Sequence, residues 1–154
     1  TLSIRSGFER LYVDQVTPNR EIVMMVAMGI THPLHAGSSS KAFLAWLPPS
    51  EIVQFLRRKL KPVTPQTIID PQKIMNEIRL IRNRGYSQSV GERQSGSASV
   101  AAPIFDRSGT PIAVISVCGP SDRFKSELPN CIPLLLESAA RLSKRMGYVA
   151  QKGT

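Results

Sequence analysis

Hydrophobic and polar positions along the chain predict short strands on either side of a group of helices. Residues 11–16 alternate enough for a strand, and a second apolar run over 21–28 follows the turn residues of 17–20. These two segments predict an antiparallel hairpin, and the loop of 29–37 follows them.

The next two segments have helical signals. A helix is predicted over 38–47, because Pro48 and Pro49 cannot continue it. Ser50 is then a candidate N-cap for a short helix that runs to about residue 59.

A clearer helix begins at Asp70, since an N-cap residue followed by Pro71 at the first helical position is a typical start signal. Gly85 is a fitting stop. One face of this helix is predicted to be buried through Ile74, Ile78 and Ile81, which recur at helical spacing.

The pattern changes to a period of two after this helix. Strands are predicted over 86–89, 97–105 and 111–118, with a turn over 106–109 between the last two, and a final helix over 125–146 that stops at Gly147. The order of elements predicts an α+β fold, an antiparallel sheet flanked by helices.

Composition adds a basic charge to this picture. The chain of 154 residues has 20 Lys and Arg against 11 Asp and Glu, a formal charge of +9. Such a surface attracts phosphates, yet the basic residues fall largely at helix ends, where they complement the helix dipole. Because no zinc finger, RNA-binding aromatic motif or helix-turn-helix accompanies them, we do not expect this segment to bind DNA directly.

The remaining composition argues against several other classes. Cys118 and Cys131 form no CxxC or Cys/His cluster, so no metal and no redox pair is expected. No apolar run approaches the length of a membrane span and no signal peptide opens the chain, which predicts a cytoplasmic protein without a membrane partner.

The junction over 33–45 joins a loop of small residues directly to an amphipathic helix. Backbone amides at a helix N-terminus are unpaired and attract anions, so Gly37, Ser38, Ser39 and Ser40 are candidates to hold a carboxylate or phosphate. The simpler alternative is that these serines only cap the helix.

The chain resembles the effector-binding domain of IclR-family (isocitrate lyase regulator) transcription factors over essentially its whole length. The resemblance rests on the order and spacing of several motifs: Pro33-Leu34-His35-Ala36 with Gly37 to Lys41-Ala42, Ile78-Arg79 to Arg84-Gly85-Tyr86, Ala101-Ala102-Pro103-Ile104-Phe105-Asp106 to Gly109, Ile115-Ser116-Val117-Cys118-Gly119-Pro120, and Leu142 to Met146-Gly147-Tyr148.

This resemblance implies a GAF-like fold in which residues 1–154 form a single domain that senses a small metabolite. It implies no cofactor, a homodimer or homotetramer, and contact with DNA only through an N-terminal winged helix-turn-helix that is absent from this chain. A small organic acid is the expected effector, and it would alter DNA binding by the intact protein.

The resemblance also implies where the ligand binds. The positions that match the family's pocket are Ser38 and Ser39 beside Gly37, and Ser99, Ser116 and Cys118 on the strands. Strand alternation places Ser97 on the face of Ser99, and Ser116 on the face of Cys118. Apolar walls are expected from some of Leu44, Met25, Val100 and Ile115.

Ser89 departs from the family pattern, because relatives frequently have an acidic residue there. The absence of this negative charge is expected to reduce the repulsion between the pocket and an anionic ligand. The loop also reads Ala36-Gly37-Ser38-Ser39-Ser40-Lys41 where the family commonly has Ala-Ser-Ala-Xaa-Gly-Lys, so its geometry is expected to differ.

Two alternatives stay open at this point. A small hydrolase is disfavoured, because no Gly-x-Ser-x-Gly motif exists and the two histidines, His32 and His35, crowd one loop. His35 is expected to bond a backbone carbonyl. A dimerisation module without a ligand is the other alternative, although it gives no role to the hydroxyl groups.

Overall fold

The computed structural model describes residues 1–21 and 23–149. A six-stranded sheet and four helices make up this part of the chain, with strands β1 (Leu2–Ser6), β2 (Glu9–Asp14), β3 (Thr31–Pro33), β4 (Ser87–Val90), β5 (Ser97–Phe105) and β6 (Pro111–Pro120) and helices α1 (Ser38–Ala45), α2 (Pro49–Leu56), α3 (Pro71–Arg84) and α4 (Ser121–Arg145). The predicted α+β class is confirmed.

The sheet is antiparallel at every strand pair, with the order β3-β2-β1-β6-β5-β4. Helices cover both of its faces. One apolar cluster joins α1, α2 and α3 to the sheet through Ala101 and Val114, and a second joins α4 to the sheet through Ala98, Val100 and Ala102.

Alternation along β5 decides which side chains meet which helices. Ala101 faces α1 and α3, whereas Val100 and Ala102 face α4. Because side chains on a strand alternate, Ser97 and Ser99 lie on the face of Ala101, toward α1. The sheet therefore presents polar residues to the start of α1 and apolar residues to α4.

The helix predicted after Asp70 is confirmed in detail. Asp70 Oδ1 accepts a hydrogen bond from the Lys73 backbone amide at 2.8 Å, and Gly85 ends α3 in the left-handed conformation with φ 82°. Ile74, Ile78 and Ile81 are all buried, as the spacing predicts.

The predicted hairpin of 11–16 with 21–28 is wrong. Strands β1 and β2 form the hairpin instead, with Gly7 in the turn between them. Strand β3 pairs with the other edge of β2, the edge at which the predicted strand of 21–28 would have to pair. Position 22 lies outside the described residues. Near this position, the Gln15 side-chain amide donates to the Met24 carbonyl and accepts from the Val26 backbone amide. These side-chain hydrogen bonds stand in for part of the backbone pairing that a second strand would make.

Two helix starts also differ from prediction. Pro48, not Ser50, is the N-cap of α2, and the helix ends at Leu56. Helix α4 begins at Ser121, directly after β6, and holds Pro129 and Pro133 in its interior. The strand end at Pro120 is itself the helix N-cap, which is why a turn before α4 is not needed.

The cap of α3 gives the first prediction. Replacing Asp70 with Ala leaves one amide of the first turn unpaired, so Asp70→Ala is expected to lower the free energy of unfolding by about 1 kcal/mol. Urea denaturation monitored by circular dichroism measures the change. The matched control is Ser50→Ala, expected to change stability by less than about 0.5 kcal/mol; a larger loss at Ser50 than at Asp70 would contradict the assignment of both caps.

Candidate functional site

Most of the candidate residues meet around one small cavity, which we call the serine pocket. Its walls come from the start of α1, from β4, β5 and β6, and from β2 and two loops: Arg10, Tyr12, Met24, Gly37, Ser38, Ser39, Ser89, Arg93, Ser97, Ser99, Ser116 and Cys118. All predicted site residues except Ser40 line it. Ser40 lies beside it and accepts a hydrogen bond from Arg10.

The register of the sheet explains this convergence. Ser89 pairs with Ser99 across β4 and β5, and Ser99 pairs with Cys118 across β5 and β6. Ser116 pairs with Ala101, two residues further along the same face. Three neighbouring strands therefore present small polar side chains side by side, opposite the first turn of α1.

The serines of the loop do not cap α1. Gly37 is the N-cap and makes no side-chain bond, while the Ser38 hydroxyl donates to Ser99 Oγ at 2.6 Å instead. Within the described part of the chain, no acceptor bonds the amides of Ser38, Ser39 or Ser40. The first turn of this buried helix thus has backbone donors without a protein acceptor among the described residues, an arrangement that attracts anions.

Gly37 is required at this junction. Its φ of 92° lies in a region that side chains disfavour, and a Cβ there would approach the Arg93 Cβ to 3.3 Å. The missing side chain lets the backbone pass close to the loop that holds Arg93.

Arg10 is the main residue that the sequence analysis does not single out. It is 1% exposed, and its guanidinium donates to the hydroxyls of Ser40 at 2.9 Å, Ser3 at 3.4 Å and Tyr12 at 3.0 Å. No carboxylate of the described residues forms an ion pair with it. Burial lowers the pKa of Arg10, and Arg93 acts in the same direction.

The alternation of β2 contains a signal for Arg10. Arg10 and Tyr12 share a face of the strand, and both are buried, whereas Glu9 and Val13 are exposed. A basic residue on the buried face of a strand is unusual enough to mark a site. The predicted strand of 11–16 starts one residue too late to include it.

The serine pocket is small in this conformation. Its volume is about 20 Å³, room for about one water molecule. The larger side chains of its lining are those of Arg10, Tyr12, Met24 and Arg93. An organic acid therefore needs at least one of these side chains to move. The four apolar candidates do not line the pocket: Val100 and Ile115 face α4, Met25 is 64% exposed, and Leu44 is in the core.

Lys41 belongs to a separate cluster behind Gly37. Its ammonium group donates to Glu92 Oε1 at 2.6 Å and to Glu77 Oε2 at 2.9 Å. Glu92 Oε2 accepts the Gly37 amide at 3.4 Å. Burial raises the pKa of Glu92, and Lys41 opposes this shift. Lys41 is therefore held by protein carboxylates rather than facing the pocket.

The two histidines lie in different surroundings, and the pKa of each is lowered for a different set of reasons. His35 Nε2 donates to the Lys61 carbonyl at 2.9 Å, which confirms the expected backbone bond, and burial lowers its pKa. His32 pairs with Arg10 across β2 and β3. Burial, then the charges of Arg10 and Arg93, lower the pKa of His32 to about 4. His32 is thus a natural probe of the positive charge at the pocket.

A larger groove lies elsewhere on the domain. It has a volume of about 640 Å³ and is lined mainly by apolar groups of Trp46, Phe105, Leu136 and Tyr148. None of the predicted site residues lies in it. We place the candidate site at the serine pocket instead, because that is where unpaired donors and an uncompensated charge meet.

Comparison with known proteins identifies the family. A family model described as "Bacterial transcriptional regulator IclR C-terminal" matches residues 1–144. The chain belongs to the IclR family. It is 31% identical over 149 residues to the HTH-type transcriptional regulator KipR of Bacillus subtilis, covering 96% of this chain and 60% of KipR.

Solved IclR-family structures share the fold. The IclR of Thermotoga maritima superposes with a TM-score of 0.86 at 34% identity, covering 96% of this chain and 60% of that one. The C-terminal domain of Escherichia coli KdgR gives a TM-score of 0.81 at 27% identity, covering 96% of this chain and 86% of that one. The resemblance read from the motifs is confirmed.

Membership of the IclR family bears on the other predictions. KipR and KdgR are named as transcriptional regulators and not as enzymes, in agreement with the prediction of a non-catalytic domain. In the described residues, no group of three or more His, Cys, Asp or Glu is placed to hold a metal ion. None of the four described helices combines the length and the apolar character needed to cross a membrane.

The charge at the pocket gives the second prediction. Arg93→Gln removes one of the cations that disfavour protonation of His32, so the pKa of His32 is expected to rise from about 4. The pKa of His35, which no arginine lowers, is expected to stay constant. Two-dimensional NMR of the imidazole protons across a pH series measures both. An unchanged His32, or equal shifts of the two histidines, would contradict the charge assignment.

Proposed function

We propose that this domain is the ligand-sensing part of a bacterial transcriptional regulator, and that a small organic acid binds in the serine pocket. The observation that supports this most is the Arg10 guanidinium, which is buried without a carboxylate partner in the described residues. Leaving a buried charge uncompensated is costly in a protein interior. A ligand carboxylate would provide the missing charge.

The surroundings of Arg10 favour a carboxylate over a neutral ligand. The amides of Ser38, Ser39 and Ser40 lie at the positive end of the α1 dipole. The Arg10 guanidinium reaches the same turn through its bond to Ser40 Oγ. A carboxylate seated between them accepts hydrogen bonds from both, while Ser99, Ser116 and Cys118 contact its remaining polar atoms.

Binding would act on the intact regulator by shifting a population. This chain spans 60% of KipR, and we place DNA contact in the part of such a regulator that the chain does not include. The regulator is a homodimer or homotetramer in this proposal. The acid must bind two of its quaternary arrangements with different affinity, because equal affinity shifts nothing.

Calorimetric titration tests the proposal directly. Pyruvate, other short keto acids and benzoate are titrated into the wild type and into a Ser38→Leu, Ser39→Leu variant, which fills the pocket with two larger side chains. At least one acid is expected to bind the wild type and to lose more than tenfold in affinity in the variant. Equal binding by both proteins would remove the serine pocket as the site.

Two further variants keep this test interpretable. Ser126→Leu makes the same change at an exposed position of α4 and is expected to bind like the wild type. Ser99→Ala removes one hydroxyl from the pocket wall, with an expected loss of about fivefold, and serves if the double variant fails to fold. Failure of every acid to bind the wild type would leave a dimerisation module as the better assignment.

A further inference from the structure

Two arginines approach one aromatic ring in the serine pocket. The guanidinium carbon of Arg10 lies 4.0 Å from the centre of the Tyr12 ring, and that of Arg93 lies 5.6 Å from the same centre. Arg10 belongs to β2, and Arg93 to the loop between β4 and β5. Two separate elements thus bring like charges to one small cavity.

The protein does not compensate these charges with its own carboxylates. No Asp or Glu lines the pocket, and within the described residues neither Arg10 nor Arg93 is in an ion pair. Glu92 is close, but Lys41 and the Gly37 amide already occupy its oxygens. Arg93 instead bonds the neutral Gln94 side chain at 3.3 Å.

One carboxylate compensates only one of these cations. Like charges repel more strongly in a partly desolvated cavity than in water, so a ligand with a single negative charge leaves one of the two guanidinium groups without an anionic partner in the pocket. Each guanidinium also presents a planar fork of donors that fits one carboxylate. Two forks on separate elements fit two carboxylates better than one tetrahedral phosphate.

We infer that the effector is a short dicarboxylic acid, with one carboxylate on Arg10 and the first turn of α1 and the other on Arg93. This inference rests on the proposed function, since it concerns the same pocket. It goes further by naming the charge of the ligand and by giving Arg93 a role in specificity.

The two arginine side chains are held to different extents. Arg10 is fixed by three hydrogen bonds and is 1% exposed. Arg93 is only partly buried and bonds its sequence neighbour. Because the cavity now measures about 20 Å³, outward movement of Arg93 is the simplest way to admit a diacid and still meet its second carboxylate.

Paired ligands that differ by one charge test the inference. Malonate, succinate and glutarate, the monomethyl ester of each, and inorganic phosphate are titrated at pH 7.5 and constant ionic strength. The best diacid is expected to bind at least tenfold more tightly than its own ester, and phosphate more weakly than that diacid. Arg93→Gln should reduce diacid affinity to the level of the ester and change ester affinity less than threefold. The control Arg107→Gln, an exposed arginine in the turn after β5, removes the same charge and should leave the preference intact.

The outcomes separate this inference from the proposed function. Equal binding of diacid and ester by the wild type, or a preference that survives Arg93→Gln, overturns the two-carboxylate assignment and leaves acid sensing in place. If phosphate binds as tightly as the best diacid, the two-carboxylate assignment is wrong and the pocket takes a single dianionic group instead. If neither these ligands nor the keto and aromatic acids bind, both the inference and the proposed function are wrong.

Discussion

The guanidinium of Arg10 lies inside the domain, held by three hydroxyl oxygens that carry no formal charge. Removing one partner of a buried ion pair costs about 3–5 kcal/mol, because the remaining charge is left uncompensated in the protein interior. The hydroxyls of Ser40, Ser3 and Tyr12 accept three of the five possible hydrogen bonds of Arg10 and leave its charge uncompensated. Burial and then this charge, with that of Arg93, lower the pKa of the neighbouring His32 to about 4.

The fold places this charge in the wall of the serine pocket. The pairing of β2 with β3 sets Arg10 beside His32, and the short loop after β3 then starts α1 at Gly37. Strands β4, β5 and β6 close the opposite wall with small polar side chains in register. Apolar packing of α1 and α3 on one face and of α4 on the other holds these parts together. A buried positive charge is thereby held between two apolar clusters.

Sequence reasoning succeeds where local chemistry decides the structure. The cap at Asp70, the stop at Gly85 and the alternation of β5 depend on near neighbours, and each is found where the pattern predicts it. It fails for β1 and for residues 21–28, because which segment pairs with the edge of β2 depends on distant parts of the chain. Arg10 is missed because the predicted strand begins one residue after it, and only the folded sheet shows that its charge and that of Arg93 meet at one ring.

The most direct measurement is a crystal structure of the domain grown with the acid that binds most tightly. The account predicts a carboxylate within hydrogen-bonding distance of the Arg10 guanidinium and of the amides of Ser38 to Ser40, with Arg93 displaced from its present position. An acid found instead in the groove of Trp46 and Phe105, with Arg10 still bonded only to hydroxyls, would contradict it.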